Sequence, residues 1–266
     1  MVLVKEFRIR NNCTVDEYRI AQLFSVAKMS LNETGGGEGV EVLKNEPYDD
    51  EEHGKGQYTY KIYHLASRAP AIVRALAPKE ALELHEEAWN GYPSCKTVTT
   101  SPWMGANFKM VTETMHLGDR GNTENALNAS AETLAQREVV YLDVADDSEI
   151  AKSSYKKEED PKEYKSAKTG RGPLKESDWA ETCDPVMTCY KLVTVEFKWW
   201  GLQTTVEGLI MSYTRKAMLL MHRQLFCDTD EWHGMTIEQL RKMEEETAKT
   251  LLEKRHKELE NKTDFS

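Results

Sequence analysis

The chain has 266 residues, with 35 Lys and Arg against 45 Asp and Glu, and a formal net charge of −10. A protein this acidic is a poor candidate for binding nucleic acid, because phosphate recognition needs a dominant basic surface. Membrane association stays open, since one local basic or aromatic patch can support it, and the length allows one large domain or two small ones.

Alternating apolar and polar residues predict several β-strands, which are separated by glycine-rich and acidic turn signals. One such turn is the acidic segment 49–52, and another is the glycine cluster at 35–39. In chain order, the predicted strands span 2–10, 57–65, 94–100, 108–116, 138–145 and 188–200.

Helices alternate with these strands. Thr14 and Glu17 form a capping box that begins the first helix, and Thr236 and Gln239 form another. Pro78 suits the first turn of a helix. The predicted helices span about 14–29, 78–90, 206–226 and 236–260.

The order of these elements indicates the fold class. Short turns join the early strands and the longest helices come last, which favours an α+β fold with a mostly antiparallel sheet over a doubly wound parallel one. Residues 146–188 are polar and are predicted to form a long surface excursion, not a domain linker. We therefore expect a single domain over residues 1–266, with a short tail at 261–266.

The sequence shows no targeting signal, no metal-binding cysteine pattern and no catalytic motif. No signal peptide is recognised, and no apolar run approaches the roughly 18 residues of a spanning helix. The five cysteines include no C-x-x-C pair, which favours reduced thiols over disulfides or a zinc site. No G-x-S-x-G, H-E-x-x-H or P-loop motif occurs. We expect an intracellular protein that holds no metal and no catalytic centre.

Polar residues occur where the pattern calls for apolar ones. Glu244 lies at the centre of the apolar stripe of the last helix, where a carboxylate is costly unless it is paired. A structural ion pair or a locally exposed stretch would also explain it. The strands and the first helix repeat the anomaly, at Gln22, Thr59, Lys61, Thr97, Thr112, Thr114 and Lys191.

Taken singly, these positions are weak signals, since an inward Thr often bonds backbone and a Lys can reach the sheet rim. Together they predict a cavity that holds ammonium, hydroxyl, amide and carboxylate groups between apolar walls. Such a site suits an anionic, hydroxyl-rich head group attached to an apolar tail.

Three segments have two interpretations each. The adjacent Trp199 and Trp200 are either an interfacial membrane anchor or a core residue beside one covered by a loop. Residues 70–78 are either a lid or a short packed helix. Residues 165–175 carry four positive charges and no acid, and form either a solvated loop or a surface facing anionic lipid.

Several motifs of the chain are distinctive. They include residues 32–42 (NETGGGEGVEV), 45–48 (NEPY), 168–174 (KTGRGPL), 190–195 (YKLVTV), 197–201 (FKWWG) and 243–247 (MEEET). These motifs resemble the phosphatidylinositol transfer protein family essentially from end to end, and the Trp pair resembles its soluble single-domain class. The resemblance implies a START-like fold, in which a curved antiparallel sheet and long helices enclose one lipid cavity.

The resemblance also implies roles for individual residues. It assigns the inositol ring to Thr59, Lys61, Asn90 and Glu244. It assigns the phosphate to Gln22, Thr97, Thr114 and Lys191, with Glu86 and Cys95 in the vicinity of the head group. It matches Trp199 and Trp200 to the membrane-docking pair, Ser166 to a serine of the regulatory loop, and the segment around residues 70–80 to the lipid-exchange loop.

Departures from the family concentrate at residues 103–137 and in the C-terminal tail. Tyr60 replaces a common His and Met115 a common Trp, and both alternate away from the ligand-facing residues beside them. We therefore expect these changes to affect partner or membrane contacts more than lipid binding.

The function expected from the resemblance is non-enzymatic. A monomer would bind one phosphatidylinositol or phosphatidylcholine as cargo and exchange it between membranes, working in the cytoplasm and transiently at membrane surfaces. An alternative is a lipid sensor that presents phosphatidylinositol to lipid kinases. A less favoured one is an enzyme that uses Glu244 as an acid or base near Lys191 or Lys61.

Overall fold

The computed structural model describes residues 2–33, 39–64, 78, 82–150, 152 and 155–263. Over these residues one sheet runs through the molecule, and its strand order is β2-β3-β4-β5-β6-β8-β1-β7. The strands are β1 (Leu3–Asn11), β2 (Gly39–Asp50), β3 (Gly54–His64), β4 (Glu83–Gly91), β5 (Ser94–Thr100), β6 (Phe108–Leu117), β7 (Glu138–Leu142) and β8 (Met187–Phe197).

The predicted capping boxes are formed. The Thr14 amide donates to the Glu17 carboxylate at 2.8 Å and the Glu17 amide to the Thr14 hydroxyl at 3.1 Å. Thr236 and Gln239 repeat the exchange. The described helices are α1 (Val15–Glu33), α2 (Ala131–Gln136), α3 (Trp179–Thr182), α4 (Gln203–Cys227), α5 (Thr229–Trp232) and α6 (Ile237–Thr263).

Strand pairing confirms the predicted α+β class. Strands β2 to β6 pair antiparallel in sequence order, and β8 and β1 extend the sheet in the same sense. The pairing of β1 with β7 is parallel. This large curved sheet with its long helices has the START-like arrangement that the resemblance implied.

The predicted helix over residues 78–90 is wrong. Residues Glu83–Gly91 form β4, which is bonded on one side to β3 and on the other to β5. Glu, Ala and Leu give this stretch a helical propensity, but two hydrogen-bonded ladders outweigh a propensity of a few tenths of a kcal/mol per residue. Strand β2 was not predicted, and the acidic segment continues it as far as Asp50 before the chain turns.

The main core lies between the sheet and helices α1 and α4. Phe7 and Ile9 of β1 are fully buried there, together with Tyr18 of α1 and Leu225 of α4. Because alternate strand residues share a face, the face that carries Phe7 and Ile9 is the one the helices cover. We call it the inner face.

A buried group of rings joins α1 and α4 to this face. The Nδ1 of His222 faces the Met218 carbonyl at 2.7 Å, so Nδ1 carries the proton and Nε2 accepts from the Tyr18 hydroxyl at 2.9 Å. His116 of β6 likewise donates through Nδ1 to the Pro93 carbonyl, and its ring lies 4.9 Å from that of Tyr18. These contacts fix α1 over the end of β6.

Acid is expected to destabilise the fold through His116 and His222. Burial, together with the nearby charge of Lys191, lowers the pKa of each imidazole from 6.5 to about 3. Between these values the unfolded chain binds protons that the folded chain excludes, so the free energy of unfolding falls as the pH falls from 6.5 towards 3.

The variant His116→Gln removes one of the two imidazoles that bind a proton only in the unfolded chain. Its pH dependence should be shallower than that of the natural chain by up to about 1.4 kcal/mol per pH unit. Urea unfolding at a series of pH values in this window measures the slope, and an unchanged slope would contradict a neutral buried imidazole at position 116.

The close approach of β3 and β4 requires a glycine at position 56. A Cβ there would lie 2.2 Å from the carbonyl oxygen of Asn90. We expect Gly56→Ala to displace β4 and lower the free energy of unfolding by about 1–3 kcal/mol. In the matched control Gly208→Ala, on α4, a Cβ meets nothing within 4 Å, so stability should rise by about 0.5–1 kcal/mol. Urea unfolding distinguishes them, and equal effects of the two changes would refute the steric argument.

Candidate functional site

Strand register brings the sequence-predicted polar residues together on the inner face. Residues that are opposite in a ladder share a face, as do residues two apart on a strand. Phe7 of the core is opposite Lys191, Lys191 opposite Thr114, Thr114 opposite Cys95, and Cys95 opposite Asn90. This first row therefore runs from the core across five strands.

Two further rows lie beside the first. In the second, Thr97 of β5 is opposite Ala88 of β4, and Ala88 is opposite Thr59 of β3. In the third, Glu86 of β4 is opposite Lys61 of β3. The residues of the sequence-predicted site that share the inner face are Thr59, Lys61, Glu86, Asn90, Cys95, Thr97, Thr114 and Lys191.

Lys191 is half-buried on this face. Among the described residues, no carboxylate oxygen lies within 4.0 Å of its ammonium and no hydrogen bond to it is formed. Its charge helps to hold His116 and His222 neutral. A cation withdrawn from water without a partner is costly, so this position favours an anion supplied from outside the chain.

Lys61 is held more loosely than a normal ion pair would hold it. Its ammonium lies 4.0 Å from the Glu86 carboxylate, which accepts a 2.9 Å hydrogen bond from the Tyr63 hydroxyl. Both members of the pair are largely shielded from solvent. The arrangement leaves donors on Lys61 and an acceptor on Glu86 for a polar ligand.

Glu244 reaches the same region from helix α6. Its carboxylate accepts hydrogen bonds from Arg241 at 2.6 Å and Asn45 at 3.3 Å, and Asn45 is opposite Thr59 in the β2–β3 ladder. The ion-pair explanation of this half-buried carboxylate is therefore correct, and it coexists with a position beside Thr59. Sequence reasoning missed Asn45 and Arg241, because neither interrupts an apolar pattern.

Cys95 links two of the predicted residues. Its thiol donates to the Asn90 side-chain oxygen at 3.0 Å and lies 3.8 Å from the Thr97 hydroxyl. Burial raises the pKa of this thiol despite the charges of Lys191 and Lys61. The protonated thiol is a weak nucleophile, so Cys95 acts as a hydrogen-bond donor that orients Asn90.

Gln22 is placed by α1. It follows Tyr18 by one helical turn and therefore shares its side of the helix, and Tyr18 contacts His116, two residues beyond Thr114. This places Gln22 on the side of α1 that is directed at the sheet.

Tyr60 and Met115 alternate with inner-face residues and lie on the opposite face, as predicted.

Strand β8 ends at Phe197, so the Trp pair lies in a turn. The prediction that the strand extends to residue 200 is wrong. The side chain of Trp200 is 98% exposed and that of Trp199 is 38% exposed. The interpretation of Trp200 as a residue covered by a loop is therefore wrong. In the part of the chain that the structure describes, no helix combines the length and the apolar character needed to cross a bilayer.

Ser166 is buried, although the basic segment around it was a candidate solvated loop. Its hydroxyl donates to Asp230 at 2.6 Å, and the amides of Ala167 and Lys168 donate to the same carboxylate. These hydrogen bonds lower the pKa of Asp230 to about 2. The segment is thus docked on α5, a contact across 64 residues that no local pattern reveals.

The predicted lid and lipid-exchange loop at 70–80 lie outside the described residues, apart from Pro78.

Comparison with known proteins identifies the family. The family model "Phosphatidylinositol transfer protein" matches residues 2–249. Phosphatidylinositol transfer protein 2 of Dictyostelium discoideum is 52% identical over 254 residues, which cover 95% of this chain and 96% of the relative. The human phosphatidylinositol transfer protein beta isoform is 49% identical over 256 residues, 94% of each chain. This chain therefore belongs to the phosphatidylinositol transfer protein family.

Proposed function

We propose that this chain is a carrier that binds one phosphatidylinositol or phosphatidylcholine and exchanges it between membranes. The observation that carries the proposal is the ammonium of Lys191, which has no partner in the part of the chain that the structure describes and lies in a row with Thr114 on the face that the helices cover. Both lipids contain a phosphodiester, whose anionic oxygens supply the negative charge that this row lacks and can accept hydrogen bonds from Lys191 and Thr114.

The two lipids differ in what lies beyond the phosphate. The inositol ring carries hydroxyls, which both donate and accept hydrogen bonds, whereas choline carries no hydrogen-bonding hydrogen. In the proposal, Thr59, Lys61, Asn90 and Glu244 bind the ring hydroxyls. The contacts Asn45–Glu244 and Cys95–Asn90 support it, because they hold two of these side chains in place before a ligand arrives.

Gln22, Thr97, Thr114 and Lys191 are the proposed phosphate contacts and serve both lipids. The proposed carrier works as a monomer in the cytoplasm and meets membranes transiently through Trp199 and Trp200. A net charge of −10 supports transient contact, because an acidic protein is repelled by anionic lipid overall and leaves the surface readily.

Presentation of bound phosphatidylinositol to a lipid kinase is a second use of the same complex, and it requires the same head-group contacts. An enzymatic use of the face is disfavoured by its chemistry. The Cys95 thiol has a raised pKa, and the Glu244 carboxylate is already engaged by Arg241.

Ring-specific and phosphate-specific contacts are separable by mutation. We expect Lys61→Ala and Glu244→Ala to lower phosphatidylinositol transfer by about tenfold or more, the cost of losing a charged hydrogen bond, while phosphatidylcholine transfer changes little. Lys191→Met should lower the transfer of both lipids. The measurement is transfer of each labelled lipid between vesicles.

The matched control is Lys96→Met. Lys96 alternates with Cys95 and Thr97 and so lies on the opposite face of β5, and its loss should leave both activities unchanged. An equal loss of both activities in Lys61→Ala would contradict the ring-specific role. Normal transfer by Lys191→Met would contradict the phosphate contact that carries the proposal.

A further inference from the structure

Two turns lie side by side at one end of the sheet. The first connects β5 to β6 across residues 101–107, and the second connects β8 to α4 across residues 198–202. Phe108, which begins β6, is opposite Phe197, which ends β8. The Lys198 amide donates to the Asn107 carbonyl at 2.7 Å. The two turns therefore form one surface.

Three tryptophans stand on this surface. Trp103, from the first turn, stacks on Trp199, from the second, with ring centroids 6.0 Å apart and planes at 20°. Trp199 also stacks on Phe197, at 6.3 Å. Trp103 keeps 45% of its side chain exposed, against 38% for Trp199 and 98% for Trp200. The stacking holds the rings in place while it leaves much of their area in water.

Lys198 is the one charged residue of the two turns. Residues 102–107 and 199–206 include no Asp, Glu, Lys or Arg, in a chain of which 30% of residues are charged. Lys198, before the second stretch, is paired with Glu196 at 3.0 Å. Glu207, after it, is buried and accepts a hydrogen bond from the Phe197 amide. No unpaired carboxylate of these two turns would oppose contact with a lipid surface.

We propose that Trp103 is a third membrane-docking residue, which forms with Trp199 and Trp200 a continuous aromatic surface for the interfacial layer of a phospholipid bilayer. This inference rests on the proposed carrier function and deepens it by adding a residue to the membrane-docking surface. Trp103 lies in the region where the chain departs from the family pattern. An indole has an apolar body and an N–H donor, and it prefers the headgroup layer to either water or hydrocarbon.

A bilayer fits the surface better than a second copy of the chain. Even fully exposed, three indole side chains would present roughly 450–750 Å², below the about 800 Å² that each partner buries in a stable complex. Two copies that each carry a charge of −10 would also repel one another.

The test uses flotation of the full chain with phosphatidylcholine vesicles. We expect Trp103→Ala to weaken vesicle binding by about tenfold, which corresponds to removing roughly 55 Å² of apolar contact. Trp103→Phe should retain most of the binding. Val139→Ala, a truncation at an exposed apolar residue of β7, is the control and should bind normally.

A second readout reports insertion directly. In the variant Trp199→Phe/Trp200→Phe, fluorescence quenching by brominated phosphatidylcholine should persist, because Trp103 is the most exposed indole left among the described residues. Loss of that quenching by the further change Trp103→Ala would support the proposal. Absence of quenching in the double variant would overturn it.

The remaining outcomes separate this inference from the proposed function. If Trp103→Ala binds vesicles normally while Trp199→Ala/Trp200→Ala does not, the inference is overturned and the carrier function stands. If sedimentation velocity shows a dimer that Trp103→Ala abolishes, with vesicle binding unchanged, the surface belongs to a second copy and the inference is overturned. Mass spectrometry of bound phospholipid in each variant reports whether the inner face still binds lipid.

Discussion

A positive charge that has no counter-ion among the described residues constrains the inner face of the sheet. Lys191 is half-buried there, and none of its described neighbours neutralises it. His116 and His222 are uncharged, since burial holds the pKa of each near 3, and the pKa of the Cys95 thiol is raised. Glu86 is directed to Lys61 and Glu244 to Arg241. In the proposed function, an anionic ligand completes the charge balance of the face.

Strand pairing and close packing, and not loops, hold these polar groups in position. Rows of paired residues carry the polar groups across adjacent strands, so their spacing is set by the backbone ladder, about 4.8 Å between strands. The Tyr18–His222 hydrogen bond ties α1 and α4 together above β6. Gly56 lets β3 approach the backbone of Asn90. Elements that stabilise the core thus also fix the geometry of the site.

Much of this could be predicted from the sequence, and the limits have physical causes. Alternation located β1, β3, β5, β6, β7 and β8, and misplaced polar residues pointed to Thr59, Lys61, Thr97, Thr114, Lys191 and Glu244. Strand β4 was misassigned because its residues favour helices locally, while its pairing is decided by distant strands. Asn90 and Glu86 lie on that strand, and only the family resemblance identified them. Asn45 and Asp230 act across long sequence separations, which leave no local signature.

We expect one intact phospholipid to complete the inner face. Native mass spectrometry of the purified full chain, followed by analysis of the extracted lipid, tests it most directly. We expect one phosphatidylinositol or phosphatidylcholine molecule per chain, lost or exchanged more readily in Lys191→Met. A chain that carries no phospholipid, or that carries only a chemically modified product, would contradict it.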